Sequence, residues 1–329
     1  MTGPLSCGPV GHINGTSQRH RVMTSINALR KGTGTIRGRL LWLMAGAIVL
    51  ALLSQQRESA GVMSLSVLTV GVALLGLPHG AFDHLTGARL IRHYRPNTQH
   101  PRALLGLFML GYLLLSLMLL ECWYHWSSLA LTLFLLLSAA HFGTDWRGRQ
   151  RLIHRLCWGV LVIGLPFVWR PDEVTDIVRT LAVPDPSPFI EAARPLVALA
   201  LSIVLVGVRR EGAMFLLAIG LLLLGAITLN PLIYFVCYFC CFHSPLHLGA
   251  IRHEHGLTGR RQMLAVAAPV VLMTWFGAGV GYFWMSHAHV SGALIKTIFI
   301  GLACLTVPHM LVEWLGERIA HPPVKAARD

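Results

Sequence analysis

Residues 103–120 read ALLGLFMLGYLLLSLMLL, an uncharged apolar run bracketed by Arg102 and Glu121. At 1.5 Å per helical residue the run extends about 27 Å, close to the roughly 30 Å hydrocarbon core of a bilayer. Inside that core each backbone N–H and C=O must be satisfied within the segment, so the run predicts a transmembrane helix. Outward from it, similar segments fall near 40–54, 60–78, 124–142, 152–169, 195–208, 213–229, 232–250, 263–285 and 292–312. The fold class expected is therefore all-α, a polytopic integral membrane helix bundle of about ten segments. The first and sixth are short enough to be tilted or re-entrant, which brackets the crossings at eight to ten.

Composition agrees. Of 329 residues, 54% are apolar and 12% charged, against about 25% charged in an ordinary soluble domain. The net charge of +13 would direct attention to nucleic acid in a soluble chain, but here the charges lie between apolar runs, and no nucleic-acid partner is needed to explain them. Assigning the connections alternately to two sides places 22 of the 27 Lys and Arg on one side. Arg57, Arg170, Arg179 and Arg194 fall on the other, and Lys296 lies within a segment. Because cytoplasmic loops carry the positive excess, both termini are expected in the cytoplasm of a multi-pass protein of the cell inner membrane. Three regions follow: a disordered basic tail over 1–39, lacking the pattern of a signal peptide, a transmembrane catalytic domain over 40–315, and a cytoplasmic C-terminal tail over 316–329. Seven cysteines, mostly within apolar runs, form neither a disulfide framework nor a zinc ribbon. Walker loops, dinucleotide fingerprints and nucleophile elbows are missing from the sequence.

The chemistry lies in the histidines. His12, His20, His93, His100, His253, His255 and His321 occupy tails or loops and read as solvated side chains. His287 and His289 form a weak pair on an outer connection, while His125 and His154 suit interfacial anchors. Five others sit toward the ends of even-numbered segments: His79, His141, His243, His247 and His309. All even-numbered segments cross in the same direction, so the five imidazoles are expected at similar depth near the cytoplasmic leaflet. Ionisable residues in hydrocarbon are costly and usually line a functional interior. Several converging imidazoles suit a first-row metal. Asp83, Asp145 and Glu313 each stand four residues after one of these histidines, where chance would give fewer than one such case. On a continuous helix each would share a face with its own histidine and orient the ring. His243 and His247 have the spacing of two ligands on adjacent turns, but Pro245 between them predicts a kink and a splayed pair.

These residues lie in GLPHGAFDH at 76–84, SAAHFGTDW at 138–146, FHSPLHL at 242–248 and VPHMLVEW at 307–314. In that order the four motifs resemble the Brp/Blh family of membrane β-carotene 15,15′-dioxygenases, over about residues 60–315. The resemblance implies a carotenoid-cleaving enzyme that uses O2 to convert β-carotene to two all-trans-retinal molecules. It implies His79, His141, His243 and His247 as catalytic ligands of Fe(2+), with His309 as a further histidine; Asp83, Asp145 and Glu313 are auxiliary on the spacing argument above. Two positions depart from the expected pattern: Leu246 replaces a basic residue and Thr144 an acidic one. Four imidazoles leave two positions of an octahedral iron open, in keeping with an oxygen-using reaction. A C40 hydrocarbon would enter from the lipid bilayer, with Tyr234, Phe235, Tyr238, Phe239 and Phe242 as candidate tunnel walls. A retinal-binding rhodopsin is the product acceptor such a reaction would serve. The rival readings are a membrane di-iron desaturase or hydroxylase, weakened by the presence of a single HxxxH within a span, and a haem-binding or transport protein.

Overall fold

The computed structural model describes residues 36–54, 60–146, 151–285 and 290–320. The paired His287 and His289, most of the basic N-terminal tail and the chain beyond Ala320 lie outside the described residues. The chain divides into two units, Met1–Arg39 and Leu40–Asp329. Among the described residues the secondary structure is helical throughout, with no strand.

The helices, in order, are α1 (Ile36–Ser54), α2 (Ala60–Gly71), α3 (Asp83–Tyr94), α4 (Pro101–His125), α5 (Ser127–Phe142) and α6 (Leu152–Trp169). There follow α7 (Pro171–Thr180), α8 (Ser187–Glu211), α9 (Ala213–Thr228), α10 (Pro231–Tyr238), α11 (Ser244–Glu254), α12 (Arg260–Met285) and α13 (Val290–Ala320). Proline opens α4, α7 and α10, where its missing N–H costs nothing. Asn230 caps α10 by accepting from the Leu232 N–H at 2.9 Å.

Nine helical runs among the described residues are long and apolar enough to cross a bilayer. The protein is a multi-pass membrane protein. The seventh expected segment, 213–229, is α9, a shorter apolar helix of 16 residues. Contrary to expectation, the first and sixth segments are full length: the spans are Ile36–Ser54 and Ser187–Gly207. Arg37 and Arg39, and likewise Glu191, Arg194 and Pro195, interrupt the hydropathy without ending the helix. Helix α13 continues to Ala320, beyond the 292–312 segment read from hydropathy.

Within Leu40–Asp329, α6 is a central element, packing against α5, α7, α8 and α9 and burying Trp158, Leu161 and Leu165. Its contact with α5 depends on Gly159, where a Cβ would run into the Ala139 carbonyl. By contrast, α4 and α12 are peripheral and leave Leu107, Leu114, Phe276 and Phe283 exposed, as lipid-facing surfaces are.

Two spans are broken where the histidines occur. Between α2 and α3 the chain forms a π-turn, Val72–Gly76, and then a 3-10 helix, Leu77–Phe82, that contains Pro78. Between α10 and α11 it forms a second π-turn, Phe239–His243, ahead of Pro245. The two breaks pack against each other: a Cβ on Gly76 would lie 2.6 Å from the Phe239 ring. Such breaks free backbone carbonyls that hydrocarbon cannot solvate. Here side chains satisfy them, the Ser244 hydroxyl donating to the Leu75 carbonyl and the His79 Nδ1–H to the Gly76 carbonyl.

Candidate metal centre

All five histidines singled out by sequence meet. The His79 ring centroid lies 6.5 Å from that of His141, 5.5 Å from His243, 6.3 Å from His247 and 5.2 Å from His309. His141 is 4.7 Å from His243, 5.2 Å from His247 and 5.5 Å from His309. The rings come from the 3-10 break after the first π-turn, the last turn of α5, the second π-turn, α11 and α13. His243 sits near the middle of the Pro231–Glu254 span, deeper than a segment end.

His243 and His247 are not splayed; their ring centroids are 4.4 Å apart. The π-turn absorbs the lost Pro245 N–H by widening one turn ahead of the proline, so the pair stays on adjacent turns.

The three carboxylates orient imidazoles, but not those four residues before them. Asp83 accepts from His309 Nδ1 at 2.9 Å. Asp145 lies 2.9 Å from His243 Nδ1 and 3.1 Å from His247 Nε2. Glu313 lies 3.1 Å from His247 Nδ1 and 3.4 Å from His141 Nδ1, the latter without hydrogen-bond alignment. The reason is local geometry. In an α-helix residues four apart differ by about 40° around the axis, whereas in a 3-10 helix they differ by about 120°. The 3-10 turns Leu77–Phe82 and Gly143–Trp146 therefore rotate Asp83 and Asp145 away from His79 and His141 and toward rings on other helices. Glu313, on the continuous α13, keeps the shared face with His309 but reaches across to α11 and α5.

A consistent pattern results. Each Nδ1 faces an oxygen: Gly76 carbonyl for His79, Glu313 for His141 and His247, Asp145 for His243 and Asp83 for His309. A carbonyl or ionised carboxylate only accepts, which assigns the proton to Nδ1 in His79, His243 and His309 and leaves Nε2 as the lone-pair nitrogen. His309 Nε2 is buried with no hydrogen-bond partner, and His141 Nε2 faces His243 Nε2 at 3.1 Å. His247 differs, since both its nitrogens face carboxylate oxygens, and Thr144 Oγ1 stands 3.4 Å from its Nε2. One nitrogen from each of His79, His141 and His309 falls within 4.8 Å of the others, and Asp145, His243 and His247 form a second such group. Inward lone pairs, rings held from behind by acceptors and an orphaned buried nitrogen fit a first-row cation.

Two tyrosines complete the cluster. Tyr238, expected only as a wall, donates to Asp145 Oδ2 at 2.5 Å and accepts from Trp158 Nε1 at 3.0 Å. Tyr112 was missed in the sequence; its hydroxyl lies 3.1 Å from Asp83 Oδ2 and 3.2 Å from the Leu305 carbonyl. A lone phenol within the 103–120 run was the available signal, because a buried O–H requires a partner.

An apolar cavity of about 690 Å³ opens from the cluster, lined by His79, His141 and His309. Tyr234, Phe235, Tyr238 and Phe239 line it. Phe242 does not. It is fully buried on the opposite side of the break, stacked near Trp146 with centroids 6.4 Å apart. Leu110, Leu113 and Leu117 of α4 and Met273 of α12 line the cavity while remaining exposed, which marks lateral openings between peripheral helices.

The fold and the cluster together define a class: a polytopic helical membrane protein with buried carboxylate-held imidazoles at an apolar cavity. Residues 70–316 match the family model of beta-carotene 15,15′-dioxygenase. A beta-carotene 15,15′-dioxygenase from uncultured marine bacterium 66A03 is 30% identical over 259 residues, covering 73% of this chain and 90% of the relative. The chain belongs to the beta-carotene 15,15′-dioxygenase family, whose members are carotenoid cleavage dioxygenases. No solved structure matches it.

Proposed function

We propose that the protein cleaves the central 15,15′ double bond of β-carotene with O2, in an iron-dependent reaction, to give two molecules of all-trans-retinal. The observation that carries this reading is the meeting of five imidazoles, three of which line one apolar cavity, in a chain of this family. The reaction balances without a further reductant: the C=C bond breaks, and each of its carbons takes one oxygen atom of O2 as an aldehyde.

His79, His141, His243 and His247 would hold an iron(II) ion, and that ion would supply the activation of dioxygen. The protein's own groups do the rest. Asp145 holds His243, and Asp83 holds His309, in one tautomer and orientation, while Glu313 stands behind His247, so these rings are positioned before substrate arrives. The cavity's walls of Leu, Val and Phe take up the polyene and exclude water from the reacting bond. Its openings on α4 and α12 admit a hydrocarbon dissolved in the bilayer and release retinal to it, where a retinal-binding rhodopsin can take it up. In our reading the protein lies in the cell inner membrane with both termini cytoplasmic, the side favoured by the 22 basic residues.

Expression of the full chain in carotene-producing cells tests the proposal: colour should fade and retinal accumulate. Replacing His79, His141, His243 or His247 by Ala should abolish cleavage and reduce bound iron, while His287→Ala and His289→Ala should leave both nearly unchanged. An iron-replete protein giving no retinal overturns the assignment. The division of donors into two groups of three gives one ground for a second reading, a di-iron centre of the desaturase or hydroxylase kind. One iron per chain supports cleavage at a single ion, and two would favour the alternative.

A further inference from the structure

The cavity is closed at the end remote from the imidazoles by α7, a short amphipathic helix with no part in holding the cluster. Asp172, Glu173, Asp176 and Arg179 give it one polar side, while Val174, Ile177, Val178 and Leu181 line the cavity. The helix is fastened at both ends. Trp123 Nε1 donates to the Leu181 carbonyl at 3.0 Å and Ser127 Oγ to the Ala182 carbonyl at 2.7 Å. At its start Glu173 accepts from Asn230 Nδ2 at 2.7 Å, and Arg170 Nη2 donates to the Ile227 carbonyl at 2.8 Å. Val174, Val178 and Leu181 are buried in one cluster with Leu131 of α5 and Ile300 of α13.

Those two neighbours measure the depth of the floor. Leu131 lies ten residues before His141 on one helix, and Ile300 nine before His309 on another. At 1.5 Å per residue both stand about 14–15 Å from the imidazoles, and Thr297, which also lines the cavity, about 18 Å. An extended chain of trans bonds advances about 1.2 Å per bond, so the roughly nine bonds from the central carbon to the ring of β-carotene cover about 11 Å, and the ring adds about 5 Å. Half of the substrate is thus as long as the space between the imidazoles and α7.

We infer that α7 is the stop that selects the bond to be cut. The leading ring seats against Val174, Val178 and Leu181, and this depth brings the central double bond level with the imidazoles. The inference rests on the cleavage reading above and adds the side chains that set its position along the polyene.

The test uses the full-length, iron-loaded protein with β-carotene, and separates products by chromatography. Val178→Trp raises the floor, so the share of asymmetric apocarotenals should rise by roughly tenfold or more at the expense of retinal, the scale on which a single methylene misfit discriminates in an apolar pocket. The double variant Val174→Ala/Val178→Ala lowers the floor. It should cleave an acyclic C40 carotene, whose open ends make each half longer, several-fold better relative to β-carotene than the unsubstituted protein does. If the Trp variant makes only retinal at an unchanged rate, or the Ala variant keeps the original preference between cyclic and acyclic substrates, the stop is refuted. Should the Trp variant fail to accumulate, the Ala variant decides. If the unsubstituted protein makes no retinal, the cleavage reading itself fails, a result distinct from a failure of the stop.

Discussion

Asp145→Asn isolates the carboxylate's part in holding the cluster, because the side chain keeps its shape and loses its charge. Asp145 accepts from His243 Nδ1 at 2.9 Å and from the Tyr238 hydroxyl at 2.5 Å, and its Oδ1 stands 3.1 Å from His247 Nε2. The two oxygens of the carboxylate serve both donors, whereas an amide offers one oxygen and turns an N–H2 toward one of them. Hydrogen bonds to a charged group contribute about 1.5–3 kcal/mol, and losing one at this burial forfeits that range. The corresponding fall in iron affinity is about 10- to 100-fold, the usual effect of removing a group that orients a metal ligand. Competition with a chromogenic chelator, read on purified protein in detergent, measures it directly. Glu121→Gln removes the partner of the exposed His125, 2.8 Å away, and serves as the control that should change nothing. Unchanged iron affinity in Asp145→Asn would refute the claim that this carboxylate fixes the imidazoles.

Tyr112→Phe removes the hydroxyl beside Asp83 and should weaken iron retention by less than Asp145→Asn, since His309 keeps its own bond to Asp83; iron content after dialysis checks the ranking. Gly159→Ala places a methyl group against the Ala139 carbonyl and should destabilise the protein by about 1–3 kcal/mol, seen as a lower midpoint in detergent-induced unfolding. Glu254→Gln breaks the exposed ion pair with Arg89 and should alter that midpoint by less than about 1 kcal/mol. Chelation should abolish retinal formation, and added Fe(II) should restore it, whereas Zn(II) should occupy the imidazoles without restoring turnover.

The spans were legible because hydrocarbon imposes length and apolarity on each segment, and the run at 103–120 meets both conditions. The five histidines were legible as a set, since an imidazole inside a span needs a reason to be there. Their partners were legible only as a list. Pairing Asp83 with His79 assumes an unbroken α-helix, and a five-residue π-turn followed by a six-residue 3-10 helix invalidates that assumption. Gly76, Pro78 and Gly80 were the available warning. Helix α7 is hidden for a different reason: its three acids dominate any hydropathy average over ten residues and mask the apolar face of Val174, Val178 and Leu181. Phe242 shows the same limit, because a widened turn redirects its ring into the core and away from the cavity.

Glu313 and His309 both belong to α13, the last described helix of the chain. During synthesis the ribosome delivers α5, α10 and α11 first, so His141 and His247 wait in the nascent bundle without the carboxylate that they share. Chains released before α13 therefore carry His79, His141, His243 and His247 but lack both Glu313, which stands behind two of those rings, and His309.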